Sequence, residues 1–162
     1  PLWSRGLGDV YKRQHLDRSI VNREIASAAG ILEWEPEKIE VRYANDCQGS
    51  GNAILLGARF ENVCEISTGV AQIGKSAESV GTGAAKGLRG YLASRAPVGV
   101  LLADQLLIPM ALAVESAICT VSISDHTKTN ISLIEQFLDV RFEIEDEDRR
   151  MRMIRCESKH SA

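Results

Sequence analysis

Apolar residues recur at Ile20, Val21, Ile25 and Ala28, one face of a 3.6-residue period, so residues 16–29 are predicted to form a helix. Asp17 or Ser19 can cap its start, and Gly30 can stop it. The period then shortens to two. Ile39, Val41 and Tyr43 alternate with polar neighbours over 38–44, the mark of a half-buried strand. Residues 45–52, rich in Asn, Gly and Ser, read as a loop. Strands follow at 53–60 and 63–73, joined as a hairpin by a tight turn at Glu61-Asn62. Ser76 then caps a long helix that runs to about residue 92. Its interior holds Gly81, Gly83, Gly87 and Gly90. Each costs up to about 1 kcal/mol against alanine, so this helix depends on packing, and its small residues can admit another backbone.

Ala96-Pro97 breaks the pattern and marks a domain boundary. Beyond it, 98–114 is the longest apolar run, shorter than the roughly 20 residues that span a bilayer. It reads as a buried helix, kinked at Pro109, whose missing N–H breaks the ladder. Residues 118–123 form a strand pattern. Residues 130–138 follow as a helix, with Thr129 as N-cap and Ile131, Ile134, Phe137 and Leu138 as its buried face. Residues 140–145 and 151–156 alternate as strands around an acidic stretch, 143–148, that reads as a solvated turn. The tail, 157–162, is expected to fray. Helix, strand, helix, strand, strand implies an α+β fold, a small sheet covered by helices on one face.

Composition narrows the classes. The net charge of −3 carries no basic surplus of the kind that announces nucleic acid, although a local cluster can bind an RNA end that the global balance hides. The four cysteines, Cys47, Cys64, Cys119 and Cys156, form no C-x-x-C pair and have no histidine at ligand spacing, so zinc and thioredoxin readings fail. Cys64 and Cys119 read as core residues, and a reducing cytoplasm is the expected compartment. Residues 1–14 (PLWSRGLGDVYKRQ) lack sustained periodicity, carry no secretory signal and look like translated adapter read-through. Set aside from the fold, they leave a chain that reads as the C-terminal part of something longer.

Four features are candidates for chemistry. Gly81-Thr82-Gly83-Ala84-Ala85-Lys86-Gly87 matches neither phosphate-loop register and lies within a helix pattern, so it reads as a packing surface. Gly49-Ser50-Gly51-Asn52 reads as a glycine turn before a strand, or as a substrate loop. Asp104-Gln105 is a carboxylate and an amide within an apolar helix, costly unless hydrogen-bonded. The pair either caps a neighbouring loop or reads a ligand: Asp accepts from ribose hydroxyls or an amine, and Gln reads an adenine edge or a phosphate. His126, in Ser124-Asp125-His126-Thr127-Lys128-Thr129-Asn130, is the only histidine away from the chain ends. It is either a turn histidine or a nucleophile. Imidazole is largely neutral near pH 7, and a helix starting at Thr129 or Asn130 would direct free N–H groups toward bound phosphate, with Thr127, Lys128 and Thr129 as further donors. Attack on phosphorus would give a phosphoramidate able to pass its group onward.

These residues carry a family resemblance. Tyr91-Leu92-Ala93-Ser94, Leu102-Ala103-Asp104-Gln105-Leu106 with Pro109-Met110-Ala111-Leu112-Ala113, His126-x-x-Thr129-Asn130-Ile131 and Phe137-Leu138-x-Val140-Arg141-Phe142 are similar to the C-terminal half of RNA 3′-terminal phosphate cyclases. Arg23-Glu24-Ile25-Ala26 and the Gly49-x-Gly51-Asn52 loop extend the likeness, which runs from about residue 15 to 155. The resemblance implies a small α/β insert domain at 15–96 and, at 97–156, the rest of the final βαβαββ-like unit of a catalytic domain. It implies that His126 is adenylylated by ATP and that Leu101, Leu102, Ala103, Asp104 and Gln105 line the adenosine pocket. AMP would then pass to an RNA 3′-phosphate end, which closes to a 2′,3′-cyclic phosphate, with Mg²⁺ or another divalent cation neutralising the phosphates. The metal ligands stay unknown. About the N-terminal half of the family's chain is missing, so the fragment is expected to be inactive and to expose an apolar face on the 98–114 helix. The rival reading is a cyclase-like protein without catalysis that binds RNA or acts in ribosome assembly. Such relatives lack the nucleophilic histidine. A second rival is a stand-alone interaction module with no chemistry.

Overall fold

The computed structural model describes residues 6–12, 17–43, 51–113, 115–148 and 151–159. The chain divides into two compact units, Pro1–Gly90 and Tyr91–Ala162. The sequence pattern had put the break six residues later, at Ala96-Pro97.

In the first unit, strand β1 (Gly6–Lys12) leads into helix α1 (Arg18–Leu32), a 3₁₀ turn (Pro36–Lys38) and strand β2 (Ile39–Tyr43). Strands β3 (Asn52–Arg59) and β4 (Cys64–Val70) follow, then helix α2 (Ala77–Ser94), within which the division between units falls. The sheet order is β2-β1-β3-β4. β1 runs parallel to β2, so the connection between them has to cross over, and α1 supplies that crossover. β3 and β4 form the expected antiparallel hairpin, closed by the Phe60 N–H donating to the Val63 carbonyl at 2.8 Å. Alternate β3 residues Ile54, Leu56 and Ala58 are buried, as are Val21, Ile25 and Ala28 of α1 and Val80, Ala84 and Leu88 of α2.

Three expectations for this unit change. Residues 6–12, left outside the fold by the pattern, form β1, placed between β2 and β3. Seven residues with two glycines carry no periodic signal, and the strand is specified by ladders on both sides. α1 does not stop at Gly30. It runs to Leu32, and Glu33 is the left-handed cap at φ 56°, donating its N–H to the Ala29 carbonyl. One exposed glycine costs about 1 kcal/mol, too little to end a helix whose neighbours Ala28 and Ala29 are buried. Cys64 is exposed rather than core, because it opens β4 at the sheet edge. The cap at Asp17 does form, accepting from the Ser19 amide at 2.9 Å. The loop expected at 45–52, with Cys47, lies mostly outside the described residues.

The second unit begins with a tight turn. Arg95 is left-handed at φ 64°. The Ser94 hydroxyl donates to the Tyr91 carbonyl and accepts the Ala96 N–H, and the Tyr91 hydroxyl donates to the Pro97 carbonyl. Helix α3 (Val100–Ala113), strand β5 (Ser116–Thr120), helix α4 (Asp125–Phe137) and strands β6 (Val140–Asp148) and β7 (Met151–Ser158) follow. The sheet is antiparallel, ordered β5-β7-β6. α3 and α4 pack on each other and on the sheet, enclosing Leu107, Met110, Ala111, Ile131, Ile134, Val140, Phe142, Ile154 and Cys156. This is the expected α+β arrangement. α3 continues through Pro109, whose missing donor falls on the exposed side, where water can serve the freed carbonyl.

The acidic stretch is a strand and not a solvated turn. β6 continues to Asp148, and its register sets Asp146 opposite Arg152 and Glu143 opposite Arg155. Arg152 pairs with Asp146 at 2.6 Å and Arg155 with Glu145 at 3.3 Å, so cross-strand cations offset the run of negative charge. The tail is shorter than expected: β7 includes Glu157 and Ser158, and the Lys159 ammonium donates to the Glu135 carbonyl at the end of α4.

Candidate functional site

Ser124 starts α4. Its backbone is extended, and its hydroxyl oxygen accepts from the Thr127 amide at 3.0 Å. The predicted start at Thr129 or Asn130 is therefore four to five residues late, because the capping serine lies upstream and Thr129 is already helical. His126 sits in the first turn and is exposed. The helix N-terminus leaves the amides of Asp125 and His126 without a partner among the described residues, and the macrodipole favours an anion there.

The neighbouring hydroxyls do not serve as the sequence suggested. Thr127 is fully buried, its hydroxyl against that of Ser124 at 2.9 Å. Thr129 donates to the Asp125 carbonyl, and Lys128 pairs with the Asp125 carboxylate at 3.2 Å. The anion-facing groups left are backbone amides, Lys128 and the imidazole, with the opposing charge of Asp125 beside them.

Leu101 to Gln105 form the first turns of α3, and the helix sorts them by face. Ala103 is buried, Leu102 and Asp104 are half-buried, and Leu101 and Gln105 are exposed. Asp104 caps no loop. Its Oδ1 accepts from Nδ2 of Asn130 at 2.8 Å. Asn130 stands four residues after His126, one turn along the same face of α4. The side chain that ties the Asp104 region to the His126 helix is therefore Asn130, to which the sequence pattern assigned no role. Its signal was the spacing of four from His126, hidden by starting the helix too late.

The same two helices expose apolar side chains: Leu101 (69 % exposed), Ile108 and Leu112 on α3, Leu133 and Phe137 (78 %) on α4. The far face of the sheet carries Arg141, Glu143, Glu145 and Arg155 instead. A solitary two-layer unit normally turns its polar side outward on the helices as well. The exposed apolar face expected on α3 is present. Among the described residues no group of three His, Cys, Asp or Glu side chains is placed to hold a metal ion, and no helix is long and apolar enough to cross a membrane.

An α+β pair of small sheets, one of them topped by helices that join an exposed histidine to a carboxylate–amide bridge, defines the class of structure. Comparison with known proteins places it in a family. The model for the insert domain of RNA 3′-terminal phosphate cyclase matches residues 8–93, more than half of the chain, and the chain belongs to that family. A protein of Koribacter versatilis named RNA 3′-terminal phosphate cyclase is 40 % identical over 134 residues, 83 % of this chain and 38 % of the relative. Proteins of the same name from Ralstonia nicotianae and Salmonella enteritidis are 43 % and 45 % identical over 66 % and 67 % of this chain, and 31 % and 32 % of their own lengths. The chain thus spans about a third of the length of the curated relatives it matches.

Proposed function

We propose that the full-length protein containing this chain converts an RNA 3′-phosphate to a 2′,3′-cyclic phosphate at the expense of ATP, with His126 as the nucleophile. An imidazole nitrogen attacks the α-phosphorus of ATP. The N–P bond forms as the bond to the β-phosphate oxygen breaks, and pyrophosphate leaves. An oxygen of the RNA 3′-phosphate then takes the AMP from histidine. The neighbouring 2′-hydroxyl attacks the activated phosphorus, loses its proton and expels AMP. The exposed Leu101 and half-buried Leu102 line the adenosine pocket with the buried Ala103 behind them, and Asp104 and Gln105 are its polar contacts. One oxygen of Asp104 is engaged by Asn130, and the Gln105 amide is exposed. Among the described residues no group of three His, Cys, Asp or Glu side chains is placed to hold the expected Mg²⁺ or other divalent cation. The cytoplasm is the proposed compartment.

The observation that carries the reading is the exposure of His126 in the first turn of α4, beside amides that have no partner among the described residues. The chain alone is proposed to be inactive, since its apolar helix face lies open. The test uses the full-length parent with α-labelled ATP and Mg²⁺. An acid-labile, base-stable protein–AMP adduct that disappears in His126→Ala is expected. Absence of label, or label undiminished in His126→Ala, refutes the assignment.

A further inference from the structure

Glu24 of α1 has no exposed surface at all, and Asn52, the first residue of β3, is 6 % exposed. The Asn52 amide donates from Nδ2 to Oε2 of Glu24. Each group has one oxygen left over, Oε1 of Glu24 and Oδ1 of Asn52, and neither has a hydrogen-bond partner among the described residues. Two acceptors cannot bond to each other. A single proton placed between them would satisfy both.

We propose that Glu24 is held as the neutral acid and closes a two-bond ring with Asn52: the amide donates to Oε2 while the acid O–H, on Oε1, donates to Oδ1 of the same amide. An ionised carboxylate here would leave a buried charge with one neutral donor and two orphaned acceptors, a costly arrangement. The neutral ring leaves none. Burial pushes the Glu24 carboxyl above the usual carboxylate range, with the Asn52 hydrogen bond opposing that shift.

Among the described side chains, no nearby charged group supplies a counter-ion. On α1 and α2, Arg23 and Glu78 pair with each other at 3.0 Å on the surface, and Lys86 is exposed. On β4, Glu65 lies opposite Ala58, at the far end of β3 from Asn52. On β1, Lys12 takes the register position opposite Asn52. None of the described residues bonds to the free oxygen of Glu24. The ring pins the second turn of α1 to the entrance of β3, and the pin holds in acid. The sign follows from linkage. The folded state keeps its proton at a pH where the unfolded chain has released it. The contribution is therefore complete below the unfolded value, about 4.3, and is lost as pH rises through the folded one.

Two measurements on the full chain test this, and neither depends on catalysis. In the first, the glutamate side-chain carboxyls are labelled with carbon-13 and titrated by NMR. One resonance is expected to titrate well above the others, and Glu24→Gln should remove it. In the second, urea unfolding is followed across the same pH range. The unfolding constant should rise by up to about tenfold per pH unit between the two values. In Glu24→Gln, whose amide can make both bonds to Asn52, the slope from this site should vanish while the fold is kept. A Glu24 carboxyl that titrates with the surface glutamates, or stays ionised throughout as an ion pair would keep it, overturns the proposal. If Glu24→Gln does not fold, the wild-type titration decides alone.

Discussion

Two glycines two residues apart in α2 should respond to alanine with opposite signs. A Cβ built on Gly81 would run into the backbone carbonyl of Glu24, with the Glu24 carbonyl carbon 3.0 Å away. A Cβ built on Gly83 meets nothing within 4 Å. Both sites are helical, so each substitution gains about 1 kcal/mol of helix propensity. At Gly83 that gain stands alone. At Gly81 the obstacle is backbone, which cannot rotate aside as a side chain can. α1 and α2 must separate, and overpacking of this kind costs about 1–3 kcal/mol. Parting them also disturbs the buried Glu24–Asn52 contact, which adds to the loss. The expected net is a loss of about 1–2 kcal/mol for Gly81→Ala and a gain of about 1 kcal/mol for Gly83→Ala. For a unit of this size each kcal/mol moves the midpoint by roughly 4–8 °C. Thermal unfolding followed by far-ultraviolet circular dichroism should order the variants Gly83→Ala above wild type above Gly81→Ala. Gly81→Ala at or above wild type would show that the helices do not touch there, and the account of this glycine-rich helix would fall.

Three further outcomes involve the second unit. Ser124→Ala removes the cap of α4 and should cost about 1 kcal/mol in urea unfolding; no loss would mean that Ser124 does not begin the helix. Asp104→Ala and Asn130→Ala, combined in a double-mutant cycle, should show a coupling of about 1 kcal/mol, modest because the pair is only half-buried, and additive effects would remove the proposed bridge. At mildly alkaline pH, peptide-level mass spectrometry after brief alkylation should find exposed Cys64 modified well before Cys156. Burial, with Glu135 and Glu157 adding to it, raises the Cys156 thiol. Equal rates would contradict a closed core at Ile154 and Cys156.

Periodicity found most elements because each has one buried face. Ile131 and Ile134 mark α4, and Ile54 and Leu56 mark β3, without any knowledge of their partners. It failed where the deciding interaction was not in the local pattern. Gly30 reads as a stop, yet α1 passes it because Ala28 and Ala29 are packed. The five acidic residues among 143–148 read as a turn, yet β6 survives because β7 sets arginines across from them. Glycines 81 and 83 look alike in the sequence, and only the neighbouring helix separates them.

The candidate site divides in the same way. The residue types and their order were enough to single out His126 and the Asp104-Gln105 pair and to carry the family resemblance, since chemistry needs particular side chains and the chain lists them. What the sequence left open was geometry across elements. The Asn130 amide that reaches Asp104 depends on a contact between residues 26 apart in the chain, and the turning inward of Thr127 on packing, whereas the helix start that exposes His126 is a local cap by Ser124. The meeting of Glu24 with Asn52 is likewise a contact between distant residues. Such contacts follow from packing, which brings together side chains that local periodicity treats as independent.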